Sequence, residues 1–265
     1  MPAELILLFS YVVLGLVAGV MAGLMGLGGG IVIVPALYFL FAWQGFSASH
    51  LMQLAVATSL ATIIFTAFAS ARAHHRRGAV QWPVVFSLVP GIVLGAVAGG
   101  FLARLISSDW LRFIFGIFEI AVAIQIGLGA KPPAARTMPG RLGMNIAGIG
   151  IGGLSALLGI GGGTLTVPFL LWCNVTIHRA VAISAACGLP IALAGALAMM
   201  ASGWGQPELP ALSLGYIYWP AALAIVFASF LAAPYGVRLA HALPVMALKR
   251  VIAVLLAIVG LRMVL

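Results

Sequence analysis

"GLMGLGGGIVIVP" (Gly23–Pro35) returns 133 residues later as "ALLGIGGGTLTVP" (Ala156–Pro168). Eight of the fourteen positions from Leu24 to Leu37 match their partners: Leu24/Leu157, Gly26/Gly159, Gly28/Gly161, Gly29/Gly162, Gly30/Gly163, Val34/Val167, Pro35/Pro168 and Leu37/Leu170. The surroundings are apolar throughout. Hydrophobic residues form 64% of the 265-residue chain and charged residues 6%, with a mean hydropathy of +1.23. A soluble domain carries about 25% charge, so the composition is that of a polytopic membrane protein.

Crossing the hydrocarbon takes about 20 apolar residues. Eight plain stretches meet that need: Leu5 to Leu24, Leu51 to Ala71, Trp82 to Ala103, Leu111 to Leu128, Met144 to Leu158, Ala180 to Ala201, Tyr216 to Gly236 and Val251 to Leu265. Two arms that follow the glycine clusters, Ile31 to Ala42 and Thr164 to Cys173, are too short to cross alone. The opening "MPAELILLFS" has no basic n-region and carries Glu4, so it reads as a first helix rather than a signal peptide. Cys173 and Cys187 lie in apolar context without partner clusters, which argues against a disulfide framework or a metal site. The net charge of +9 sits in loops between apolar runs. That is the positive-inside bias, not a nucleic-acid footprint.

The likeness between the halves continues beyond the glycines. "QWP" (Gln81–Pro83) answers "YWP" (Tyr218–Pro220), and "LRF" (Leu111–Phe113) answers "LKR" (Leu248–Arg250). We therefore divide the chain into a first repeat over residues 1–130, a cytoplasmic linker over 131–143 and a second repeat over 144–265. The linker falls within the Pro- and Gly-rich stretch "GAKPPAARTMPGRLG" (Gly129–Gly143). Charge sets the relative orientation. "RAHHRRG" (Arg72–Gly78) has three arginines and two histidines, whereas its counterpart "SGWGQPELPALS" (Ser202–Ser213) has no base and one acid, Glu208. The next pair reverses the bias: Arg104, Asp109 and Arg112 stand against Arg238, His241, Lys249 and Arg250. The repeats are expected to be inverted.

Inversion requires an odd number of crossings per repeat, yet each half shows four plain spans. If Arg72–Gly78 and the linker are both cytoplasmic, each glycine cluster must turn the chain back within the membrane. Both termini then lie outside. The expected fold is an all-α polytopic membrane protein of two inverted repeats, each with four membrane helices and a short arm that completes a hairpin. Irregular backbone at membrane depth is tolerated only where it is buried in protein or lines a cavity. After each turn a helix restarts with free N–H groups aimed at the turn, which makes an anion site. The alternative reading is that the glycines only permit close helix packing, the reading that fits "GLVAG" (Gly15–Gly19) and "GIVLG" (Gly91–Gly95). A dinucleotide fingerprint fails because Ile31 stands where its third glycine belongs.

Several polar residues interrupt apolar runs. "AVATSL" (Ala55–Leu60) holds Thr58 and Ser59, and its counterpart "AVAISA" (Ala180–Ala185) keeps Ser184. These hydroxyls either donate to an anion or bond back to their own helix. His50, His178 and Arg179 open the helices that carry them, as guides for an anion or as interfacial anchors. Glu119, inside an apolar span and matched by Leu256 in the second half, is either a carrier of a coupled proton or a neutral buried acid. Trp82 and Trp219, each beside a proline, suit interfacial anchoring.

The paired "GLGGG…VP" and "GIGGG…VP" hairpins, the "ATS" helix after His50 and the "HHRRG" stretch before a Trp-Pro helix resemble the sulfite exporter TauE/SafE family, also called the toluene sulfonate uptake permease family. The resemblance spans essentially the whole chain. It implies a secondary transporter of the cell membrane, taken as the bacterial inner membrane, for small sulfur anions such as sulfite and organosulfonates. The expected substrate-binding residues are Gly28, Gly29, Gly30, Thr58, Ser59, Gly161, Gly162, Gly163, Thr164 and Ser184. His50, Glu119, His178 and Arg179 are gating or coupling candidates, with protons as the coupling ion to test. No catalytic residue, metal or cofactor is expected, and the partners are the small anion and the lipid bilayer. The alternatives are a passive anion channel, a non-transporting membrane partner protein, and an intramembrane hydrolase, for which no G-x-S-x-G stands here.

Overall fold

The computed structural model describes residues 2–25, 29–128, 137–242 and 245–265. In the first half the helices are α1 (Pro2–Met25), α2 (Gly30–Trp43), α3 (Leu51–Arg76), α4 (Trp82–Leu105) and α5 (Ser108–Gly127). The second half repeats the order as α6 (Arg141–Leu158), α7 (Gly163–Trp172), α8 (Ile177–Ser202), α9 (Trp219–Ala242) and α10 (Val245–Val264). Every plain apolar stretch is a helix, and both short arms are helices, of 14 and 10 residues. At 1.5 Å per residue these arms reach only about 21 and 15 Å, short of a hydrocarbon core of about 30 Å. Among the described residues six helices are long and apolar enough to cross a membrane. The chain is an all-α polytopic membrane protein. The small exception is a two-stranded antiparallel ladder, β1 (Ser213–Leu214) with β2 (Ile217–Tyr218), which takes up Tyr216 and moves the start of α9 to Trp219.

Helix ends differ from the sequence expectation where good helix formers continue past the apolar run. The basic stretch Arg72–Gly78 is not a loop for most of its length, because α3 continues through Arg76. It stops at Gly78, whose φ of +66° lets its N–H reach the His75 carbonyl while Ala79 N–H reaches that of His74. That double bond pattern closes a helix on a left-handed residue. The helix α6 likewise begins at Arg141, inside the expected linker.

Packing follows a regular scheme. Parallel contacts join α1 to α9 and α4 to α6, while α3 meets α8 and α5 meets α10 in antiparallel fashion. Glycines set the close approaches. A Cβ on Gly148 would lie 2.5 Å from the Leu88 carbonyl oxygen, and one on Gly91 or Gly95 would fall on the carbonyls of Asn145 or Ile149. In the other pair, a Cβ on Gly15 or Gly19 would lie 2.7 or 2.5 Å from the carbonyl oxygen of Ile225 or Ser229. Gly15–Gly19 and Gly91–Gly95 thus serve helix packing, as small-xxx-small pairs do. Gly148 and Gly152 stand at the 133-residue offset from Gly15 and Gly19, so the same device recurs in each half. For the antiparallel pairs, Gly116 faces Gly260 while Gly127 faces Ala253, and Gly195 touches Leu60 while Gly188 touches Ala67.

The centre of the molecule is α3 against α8. From Leu51 to Ile63, α3 is buried on every side, its polar Gln53, Thr58, Ser59 and Thr62 included. Its start is tied down by polar contacts. Met52 N–H donates to Ser108 Oγ at 3.0 Å, Gln53 Nε2 donates to the Ile106 carbonyl at 2.8 Å, and Ser47 Oγ donates to Glu208 Oε2 at 2.6 Å. The arginines Arg72, Arg76 and Arg77 sit at the other end of this 26-residue helix, about 32 to 39 Å away at 1.5 Å per residue.

Candidate functional site: the glycine tips and a cavity between the halves

The tip of the second hairpin is built by the C-terminus of α6. Gly159 adopts φ +67°, and Ile160 N–H returns to the Ser155 carbonyl at 3.0 Å. The chain then passes through Ile160, Gly161 and Gly162 and restarts as α7. In the first half, Gly29 has φ +74° and α2 starts at Gly30. Gly28 lies outside the described residues. The two tips touch one another. A Cβ on Gly30 would lie 2.7 Å from the Gly159 carbonyl oxygen and 3.0 Å from Ile160 Cα, and one on Gly159 would lie 2.9 Å from Val56 Cα. Side chains have no room there, which is the steric reason for glycine at both places.

The Thr58 and Ser59 hydroxyls of α3 bind the second half, whereas those of Thr62 and Thr66 bond back to the Ser59 and Ile63 carbonyls of their own helix at 2.7 and 3.3 Å. Ser59 Oγ donates to the Gly159 carbonyl at 2.8 Å, satisfying one of the acceptors that the end of α6 leaves free. Thr58 Oγ1 accepts from the Tyr218 N–H of β2 at 3.0 Å.

Beside the second tip lies a cavity of about 50 Å³, several times the roughly 10–15 Å³ that one water requires. Its walls are Ala22 of α1, one face of α3 (Ile63, Thr66, Ala67, Ser70), the turn Gly161–Gly163, and Ser184, Ala185 and Gly188 of α8. Ser184 is 2% exposed, and its hydroxyl has no hydrogen-bond partner among the described residues. No side chain caps α7. The earliest helical bond of α7 runs from Thr166 N–H to the Gly162 carbonyl at 2.8 Å, so the N–H groups of Gly163, Thr164 and Leu165 have no acceptor within the helix. The Thr164 hydroxyl turns back to the Gly161 carbonyl at 3.4 Å. The cavity lining thus includes the start of α7 at Gly163 and the hydroxyls of Ser184, Ser70 and Thr66, the last bonded to the Ile63 carbonyl at 3.3 Å, and among the described residues no carboxylate and no histidine.

Of the residues singled out in the sequence, Gly161, Gly162, Gly163 and Ser184 line this cavity. Gly30 and Ser59 hold the adjoining tip contact. Four others lie elsewhere. His50 precedes α3 at its far end, its ring 5.6 Å from Tyr216. His178 and Arg179 are exposed in the first turn of α8. Glu119 is fully buried in α5, and neither of its carboxyl oxygens has a partner among the described residues. Thr66 and Ser70 were missed by sequence reasoning, although Ile63, Thr66, Ala67 and Ser70 share one helical face by spacing alone.

The profile of the sulfite exporter TauE/SafE family matches residues 11–263. The chain belongs to that family. A probable membrane transporter protein of Haemophilus influenzae is 38% identical over 262 residues, covering 97% of this chain and 99% of the relative. The probable membrane transporter protein YunE of Bacillus subtilis is 28% identical over 270 residues, with 94% of each chain covered. The corresponding protein MJ0441 of Methanocaldococcus jannaschii is 27% identical over 263 residues, covering 98% and 97%. As a TauE/SafE membrane protein, the chain carries both glycine-rich motifs and the cavity beside the second of them inside the matched region.

Proposed function

We propose that this TauE/SafE protein is a secondary transporter of small sulfur-containing oxyanions, sulfite above all, which bind in the cavity between the Gly161–Gly163 turn and α3. The observation that carries this reading is the buried Ser184 hydroxyl, unpartnered among the described residues, in a cavity it shares with the uncapped start of α7. A cavity of about 50 Å³ favours a compact oxyanion over an aromatic sulfonate. Thr66 and Ser70 join Ser184 as candidate ligands, and the backbone of Gly28, Gly29 and Gly30 is the counterpart contribution from the first hairpin.

We read the two halves as inverted repeats. The antiparallel contact of α3 with α8 and of α5 with α10, each a helix with its own counterpart, supports this, as does the pairing of α1 with α9 mirrored by that of α6 with α4. Under the positive-inside bias the arginine end of α3 faces the cytoplasm and both termini face outward. The cavity then extends along α3 from Ile63 to Ser70, toward that basic end. The matching face of α8 is closed: Ile191 and Ala192 are fully buried, and Gly195 packs on Ala156 and Leu60. Anions therefore enter this state from the cytoplasmic side. Glu119 is the candidate for a coupled proton, and His50, His178 and Arg179 stand where an anion approaches the membrane.

Uptake into proteoliposomes tests the proposal, with sulfite, thiosulfate, sulfoacetate and taurine offered with and without a pH gradient. Flux of one anion that follows the gradient and disappears in Gly162→Val is expected. Flux that ignores every gradient would make the protein a passive channel. No flux from folded protein would favour a non-transporting partner role.

A further inference from the structure

A second concave surface lies on the outside of α3. We propose that the groove between α3 and α9 is a binding site for an anionic phospholipid, with an acyl chain along its phenylalanines and the phosphate on Arg72 and Arg76. The groove encloses about 930 Å³ and is lined by Phe65, Phe68, Arg72 and Arg76 of α3 and by Phe227 and Phe230 of α9. All four phenylalanines are more than half exposed to the surroundings of the protein. On α3 the lining residues recur at helical spacing along a single face. From Phe65 to Arg76 this face runs about 16 Å, close to the roughly 15 Å of hydrocarbon in one leaflet. The apolar part of the groove therefore matches an acyl chain, and the arginines reach headgroup depth.

Charge selects the occupant. Arg72 and Arg76 are one turn apart, exposed, and without an acidic partner or hydrogen bond among the described residues. A basic pocket between membrane helices suits a phosphate headgroup. A second copy of the chain seated on the same groove would bring four arginines together with nothing to balance them. The face is distinct from that of Ile63, Thr66, Ala67 and Ser70, so a lipid here leaves the anion cavity open, and the inference does not depend on what the transporter carries.

Native mass spectrometry of the purified protein, given equal amounts of phosphatidylglycerol and phosphatidylcholine, tests the site. The wild type is expected to retain phosphatidylglycerol at least tenfold better. The double variant Arg72→Gln/Arg76→Gln should lose that preference, at about fivefold per arginine, while Arg72→Lys/Arg76→Lys keeps most of it. Arg262→Gln, at the end of α10, should leave it unchanged. Phe227→Ala should weaken retention of both lipids. Equal retention by the wild type, survival of the preference in the glutamine variant, or an equal effect from inorganic phosphate would overturn the proposal. So would a dimer that forms through the groove and dissociates in Phe227→Arg.

Discussion

Ser59 and Ser184 hold equivalent places in the two halves and do different work. Ser59 Oγ satisfies the Gly159 carbonyl across the contact between the halves, whereas Ser184 Oγ lines the cavity and is buried without a partner among the described residues. Removing each should therefore fail differently. Ser184→Ala is expected to raise KM for the anion about tenfold or more, the worth of one hydrogen bond to a charged group, with thermal stability unchanged. Ser59→Ala leaves a buried carbonyl unpaired and should cost about 1–3 kcal/mol of stability, read as a lower melting temperature with a smaller change in KM. At Gly162 a Cβ would lie 2.9 Å from the Ser184 carbonyl oxygen and 3.3 Å from Gly188 N. Gly162→Val should thus abolish transport while the protein still inserts and folds. In the loop beyond α8, the Ser47 and Ser49 hydroxyls, with His50 nearby, hold the Glu208 carboxyl below the usual carboxylate range. A carboxylate favoured by folding contributes above its unfolded pKa, and its contribution fades as pH falls through the lower folded value. Protection of the 203–213 amides against exchange, taken relative to their intrinsic rates at each pH, should fall in acid, and Glu208→Gln should show that lower protection already at neutral pH.

Helix pairs carry the next level of specification. The glycines of α4 and α6 bring backbone against backbone, and those of α1 and α9 do so through Gly15 and Gly19. Without a hydrophobic drive between helices in lipid, such contact is the main source of association. Gly95→Leu, whose side chain would fall on the Ile149 backbone, should separate α4 from α6 and greatly reduce folded protein in the membrane. Leu94→Ala, on an exposed face of the same helix, should have little effect. Topology is also decided here, because Glu208 lies beside the start of α3 while His74 lies near its end. Single cysteines at positions 74 and 208 should be labelled from opposite faces of the membrane, and labelling from one face would overturn the inverted arrangement.

For the whole protein, the proposed entry of anions from the arginine end of α3, toward which the cavity residues Ile63 to Ser70 run, has a directional consequence. An impermeant thiol reagent applied from the arginine side should reach a cysteine at Ser70, and bound sulfite should slow it. Reagent applied from the Glu208 side should react far more slowly until the protein turns over. Equal rates from both sides, unaffected by sulfite, would remove the one-sided cavity from the transport cycle.

Length, apolarity and the 133-residue echo were enough to read ten helices and the break after α6 at Gly159–Gly162, because membrane spans and breaks in them depend on local composition and local sterics. Helix ends moved where arginine and alanine continued a helix beyond its apolar run, as at Arg72–Arg76. The site was only half legible. Glycine and serine at the tips are visible in the chain, but which serine is spent on a neighbouring carbonyl and which is left free depends on how α3, α6 and α8 meet. Identical residue types diverged because the packing around Gly159 and around Gly162 is not the same. The grouping of Thr66 and Ser70 with Ser184, and the separation of Glu119 and His50 from them, arise from contacts between residues more than a hundred positions apart or on different helices. No local pattern encodes those contacts, so tertiary packing alone decided them.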